Sequence, residues 1–130
     1  MDGVAKELAE YFEKLERLGD IAVEAVKEQI DIEADRAERE IRDGTPVGET
    51  GGLARSLTRS KIDNDKRYGY RLEYEGENED GVPYAKIANI LNSGSSKIKP
   101  RRFITRAIKK LRGLDDRAAQ RFEDKTKNSE

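Results

Sequence analysis

The chain has 130 residues, 35% of them hydrophobic and 41% charged, with a formal net charge of −1, a composition that fits one domain with a thin core. Neither cysteine nor histidine occurs, which excludes thiol chemistry, disulfides, Cys/His zinc sites and histidine acid–base catalysis. No apolar run approaches ~20 residues and the N-terminus is acidic, so no membrane span or signal peptide is expected and the chain reads as soluble.

Taken in chain order, residues from about Val4 to Asp43 read as helix. Leu8, Tyr11, Leu15, Leu18, Ala22 and Ala25 recur at spacings of three and four, and Val26, Ile30, Ala34, Ala37 and Ile41 continue the stripe. Gly19-Asp20 offers a break, with Gly19 closing one helix and Asp20 capping the next. Gly44 and Pro46 mark the stop. The stretch "PVGETGGLARSL" (46–57) then reads as a turn. "SLTRSKI" (56–62) is a strand, "DNDK" (63–66) supplies turn chemistry, and Tyr68, Tyr70, Leu72 and Tyr74 alternate with polar residues as a half-buried partner strand. Leu57 and Ile62 differ in parity, which predicts a bulge or assigns Leu57 to the preceding turn. "EGENEDG" (75–81) is read as a mobile acidic loop. Tyr84, Ile87, Ala88 and Leu91 lie on one face of a short helix, and "NSGSSKIKP" (92–100) is a loop. Phe103, Ile104, Ala107, Ile108 and Leu111 define a last helix, which the pattern allows to run past Gly113 to Phe122, and the terminal "EDKTKNSE" is expected to fray. The fold class is therefore α+β: a long N-terminal helix packed on a small antiparallel hairpin or meander, then a short helix and a C-terminal helix. Residues 1–20 form a helical extension, 21–113 the α+β domain, and 114–130 a helical or frayed tail.

Charge is unevenly placed. Residues 1–43 carry fourteen acids against seven bases, whereas the segment from Lys97 to Arg112 carries eight bases and no acid. The plain reading of that segment is a helix docked by its apolar face, with its cations extended into water. The functional readings are contact with an acidic protein surface or with phosphates. A pI near 5.8 and the lack of an aromatic platform weigh against specific nucleic-acid binding. The acidic first helix of an identical subunit is a ready complement, and like subunits joined head to tail make a ring if the rotation closes.

Candidate chemistry is sparse. Glu24 and Glu28 approach each other at helical spacing but read as solvated partners for Lys and Arg. Asp63, Asp65, Glu77, Glu79 and Asp80 lack calcium-loop spacing. Gly48, Gly51 and Gly52 belong to no phosphate-binding signature, and Ser56 and Ser60 have no recognisable general base. No enzyme, metal or other cofactor is expected.

Two segments nevertheless form a pattern. The first is Pro46, Thr50, Gly51, Leu53, Arg55 and Ser56. The second is Tyr84, Ala85, Gly94, Ser95, Pro100, Arg101, Phe103 and Ala107. In this order, with a hairpin between them, they resemble the tail-component and tail-completion proteins of long-tailed phages and prophages, the small head–tail joining proteins. The resemblance covers roughly Ala22 to Leu111. It implies a non-enzymatic assembly subunit at the virion neck, made in the bacterial cytoplasm. Its partners would be copies of itself in a ring, often of six, and neighbouring connector, head-closure, tail-tube or tail-terminator proteins. Within that frame Gly51 and Gly52 would reverse the chain at positive φ, Thr50 would bond a nearby amide, and Leu53 and Leu57 would anchor the turn. Asn92, Gly94, Ser95, Lys97 and Lys99 would form an arm that orders on docking, Pro100 and Phe103 would fix where the arm ends and the next helix begins, and Arg101 and Arg102 would belong to the assembly loop and basic helix. The alternative is a small nucleic-acid-binding module that uses the basic segment.

Overall fold

The structure is a computed structural model that describes residues 2–48 and 50–128. Its elements are α1 (Asp2–Gly44), α2 (Gly52–Ser56), β1 (Leu57–Asp63), β2 (Tyr68–Tyr74), α3 (Tyr84–Ser93), α4 (Phe103–Lys109) and α5 (Leu114–Asn128). The chain divides into two compact units, residues 1–30 with 113–130 and residues Asp31–Arg112, and α1 contributes to both. The expected architecture is present: a long helix, a two-stranded antiparallel sheet, and helices after it.

α1 is one uninterrupted helix, so the expected break at Gly19-Asp20 is absent. Glu, Lys, Leu and Ala on either side are good helix formers, and continuing the helix through one glycine costs only about 1 kcal/mol. In the unit built from residues 1–30 and 113–130, Ala25 of α1 and Ala118 of α5 are buried. Lys125 pairs with Glu28 at 3.0 Å and Glu24 at 3.5 Å, and Arg121 Nε donates to Gln29 Oε1 at 2.9 Å. These contacts hold α5 in helical form to Asn128, where fraying was expected. The remainder of that tail, Ser129 and Glu130, lies outside the described residues. α4 and α5 are separate helices because Gly113 adopts φ +84°, a left-handed conformation that ends a helix at little cost only in glycine.

In the other unit the strands pair without interruption from Leu57 opposite Tyr74 to Asp63 opposite Tyr68. No bulge is needed. Leu57 is the first residue of β1 and lies on the face shared with Tyr70, Leu72 and Tyr74, whereas Ile62 lies on the other. Asn64 closes the hairpin, its Oδ1 accepting from the Lys66 and Arg67 amides at 2.9 Å. Ile41, Leu57, Phe103 and Ala107 form the buried cluster, with Leu72, Tyr74, Leu91 and Ile104 packed around it. Gly44 belongs here by close approach, since a Cβ at that position would lie 2.6 Å from Cβ of Phe103.

Candidate functional site

The turn after α1 is built from residues singled out in the sequence. Thr45 is buried; its hydroxyl donates to the Ile41 carbonyl at 2.5 Å and shares a 2.6 Å hydrogen bond with the Tyr74 hydroxyl. Pro46 follows and cannot extend the helix. Gly48 and Gly51 take φ values of +67° and +68°, and the Thr50 hydroxyl accepts from the Gly52 amide at 3.2 Å. Gly51 therefore supplies the reversal, but Gly52 does not. Gly52 is the first residue of α2, and its constraint is space, because a Cβ there would collide with the Tyr84 hydroxyl.

The one-turn helix α2 was not evident in the sequence. Five residues are too few for a periodic signal, and their helical form depends on tertiary contacts. Leu53 is buried, and Ser56 Oγ donates to the Leu53 carbonyl at 2.7 Å. The guanidinium of Arg42 reaches the Ala54 and Leu57 carbonyls at 3.3 and 3.4 Å while pairing with Glu38 at 3.0 Å. It thus satisfies backbone acceptors that a short helix leaves open at its end.

Turn, α2 and α3 enclose a groove of 510 Å³ lined by Pro46, Val47, Leu53, Tyr84, Ile87 and Leu91, with Arg55, Asn78, Glu79 and Asp80 also on its wall. The acidic loop forming this wall is closed by its own hydrogen bonds. Asn78 Oδ1 accepts from the Asp80 and Val82 amides at 2.9 Å, and Asn78 and Val82 also pair through their backbones.

The second signature segment starts inside α3, which extends through Ser93 and shortens the expected loop. Asn92 is 8% exposed, and its Oδ1 accepts from the Ile104 and Thr105 amides at 2.9 and 3.0 Å. It satisfies the free amides at the start of α4 from a distant helix, the work normally done by a local capping residue. Gly94, at φ +81°, meets Pro100 so closely that a Cβ would lie 2.8 Å from Pro100 Cδ. Ser95 Oγ accepts from the Lys97 and Ile98 amides at 3.3 and 3.1 Å. Arg102 precedes α4 at φ +55°, the one non-glycine residue with positive φ among those described. Phe103 and Ala107 are buried, whereas Lys97, Lys99, Arg101 and Arg102 are exposed. The structure thus brings the second signature segment into the core, where Phe103 and Ala107 meet Leu57, the residue that follows the first. It leaves the cations of the second in water.

A polar cluster on the helix-facing side of the sheet went unrecognised in the sequence. Tyr68 and Tyr70 both donate to Asp31 Oδ1 at 2.5 Å. The Arg59 guanidinium lies 4.4 Å from the Tyr70 ring centre and pairs with Asp35 at 2.5 Å and Glu38 at 3.0 Å. The Tyr68 and Tyr70 hydroxyls hold the Asp31 carboxyl below its usual range, and Asp31 in turn pushes the Tyr68 phenol up. A signal existed, because Asp31, Asp35 and Glu38 fall at i, i+4 and i+7 on one helix face. The cluster orients side chains between α1 and the sheet. Lys110 similarly reaches back to Glu40 at 2.6 Å.

Comparison with protein families, with curated proteins and with solved structures finds no match to this chain. Among the described residues no helix is long and apolar enough to cross a membrane.

Proposed function

We propose that this chain is a non-enzymatic structural subunit of the head–tail joint of a tailed phage or prophage. In this reading it completes or caps the tail and joins it to the head, through ring assembly with its own copies and contacts with neighbouring neck and tail proteins. The observation that carries the reading is the resemblance of two ordered signature segments, within 46–56 and 84–107. What supports it physically is that both segments have structural work in one unit while leaving a surface for assembly. Thr50, Gly51 and Leu53 build the turn, Asn92 and Phe103 tie α3 to α4, and Lys97, Lys99, Arg101 and Arg102 remain in water. The test is co-purification with the products of neighbouring genes, and binding to purified tails or connectors. Joining of the chain to either is the expected result. A chain that neither self-assembles nor joins any of them rules the reading out.

The same exposed cations favour a second reading, a nucleic-acid-binding module. If Lys99, Arg101, Arg102 and Lys109 contact phosphates, affinity for duplex or single strands appears at low salt and falls steeply as salt rises. No gel retardation at low ionic strength removes this alternative.

A further inference from the structure

The first half of α1 carries an apolar seam that no described part of the chain covers. Every residue from Ala5 to Asp20 is exposed, including Leu8 at 52%, Tyr11 at 60%, Phe12 at 63%, Leu15 at 47% and Leu18 at 37%. Leu8, Tyr11, Leu15 and Leu18 alternate spacings of three and four, and Ala22 and Ala25 continue the same alternation. That period of 3.5 keeps a seam facing another helix over successive turns, which a flat or irregular partner does not require. Further along, the chain supplies the helix itself: Ala25 and Gln29 are buried where Arg121 and Lys125 of α5 reach α1. α5 runs antiparallel to α1 there, with Arg121 reaching Glu28 and Gln29, Lys125 reaching back to Glu24, and the helix ending at Asn128. The covered and uncovered parts of the seam are thus continuous.

We propose that a second copy of this chain covers the uncovered part, two α1 helices pairing antiparallel with Leu8 of one copy over Leu18 of the other and Tyr11 over Leu15. Three observations select this occupant and this direction. First, α5 already covers the seam at Ala25, which is fully buried, with its contacts running from Glu24 to Gln29. A parallel partner would force the two α5 helices toward the same space, whereas an antiparallel partner leaves the α5-covered segments at opposite ends of the pair. Second, Gly19 has open space around it, with nothing within 4 Å of an added Cβ. No contact among the described residues explains this mid-helix glycine, which costs about 1 kcal/mol relative to alanine. In the antiparallel pair the positions beside the seam are Ala5 facing Gly19 at each end and Phe12 facing Phe12 at the centre. Small residues at both ends let the backbones close around the central aromatic pair. Third, the five exposed side chains offer on the order of 500 Å² of surface per copy, so a pair buries at most about 1,000 Å². That area is the low end for a specific complex, and the association is accordingly weak and concentration-dependent. The inference does not rest on the phage reading.

Sedimentation equilibrium of the full chain tests it. The apparent mass should rise from 14.7 kDa toward twice that value as concentration increases, and Leu15→Glu should hold it at the monomer value with unchanged helical circular dichroism. Because the chain has no cysteine, single replacements report direction without interference. A mixture of Leu8→Cys and Leu18→Cys chains should form a mixed disulfide on mild oxidation, and Leu8→Cys alone should not. A mass fixed at 14.7 kDa, undiminished association by Leu15→Glu, or cross-linking of Leu8→Cys with itself but not with Leu18→Cys overturns the proposal. The cross-linking result decides the question even if Leu15→Glu perturbs folding.

Discussion

At Gly52 the room for a side chain is taken by the Tyr84 hydroxyl, so the constraint there is removable from either partner. Gly52→Ala should destabilise the chain by about 1–3 kcal/mol, the usual cost of overpacking. Tyr84→Phe, which deletes the oxygen, should recover most of that loss in a double-mutant cycle read by urea denaturation. Gly51→Ala should cost about 1 kcal/mol through its positive φ, and Tyr84→Phe should not rescue it. Asp31 contributes to the pH response of the same unit. Its carboxyl titrates below its ordinary value of 3.8, so its contribution is full above that value and is lost as pH falls through the depressed folded one. Tyr68 titrates above its ordinary 10.0, so its contribution is full below 10.0 and is lost as pH rises through the raised value. Asp31→Asn should lower the urea midpoint at neutral pH and flatten both the acid and the alkaline limbs of its pH profile. Equal slopes in parent and variant would show that the cluster does not carry them.

Among the elements, burial divides the apolar positions into two kinds that the sequence writes alike. Ile41, at 7% exposure, and Leu15, at 47%, both stand in the amphipathic stripe of α1. Ile41→Ala should cost about 2–5 kcal/mol, whereas Leu15→Ala in dilute solution should change stability by less than ~0.5 kcal/mol. Thermal or urea unfolding at low concentration separates them. Period alone was enough to place α1, β2 and α3; β1 has no regular alternation, because Leu57 and Ile62 lie on opposite faces, and the turn residues after it placed it instead. Period could not place α2, whose helical form comes from Leu53 and Arg42 contacts, or the division at Gly113, which depends on one dihedral angle. The helical form of the tail was also hidden, since it follows from partners nearly a hundred residues away, Glu24 and Glu28. At the candidate site, the turn residues were legible because proline, glycine and threonine have fixed local uses. The capping of α4 by Asn92 was not, because it is a contact between two helices.

Across the molecule, the charge asymmetry of the sequence is partly resolved within each unit. Arg59 and Lys110 meet Asp35, Glu38 and Glu40 in one, and Lys125 meets Glu24 and Glu28 in the other. Stability is unevenly spread. In hydrogen exchange at low concentration, amides of Ile41, Glu73 and Ala107, which lie inside helices or at a hydrogen-bonded register position, should be the slowest, and those from Leu8 to Leu18 among the fastest in α1. Uniform protection along α1 in dilute solution would contradict this ordering. The uninterrupted course of α1 through Gly19 has one more consequence, for changes in chain length. Each residue of a helix turns the next by about 100°, so one residue inserted beside Gly19 would swing Leu8–Leu18 out of line with Ala22 and Ala25. Seven inserted residues nearly restore the phase. Length variation at this point is therefore expected in steps of seven, with shorter insertions tolerated only where the alignment of the two stretches has no use.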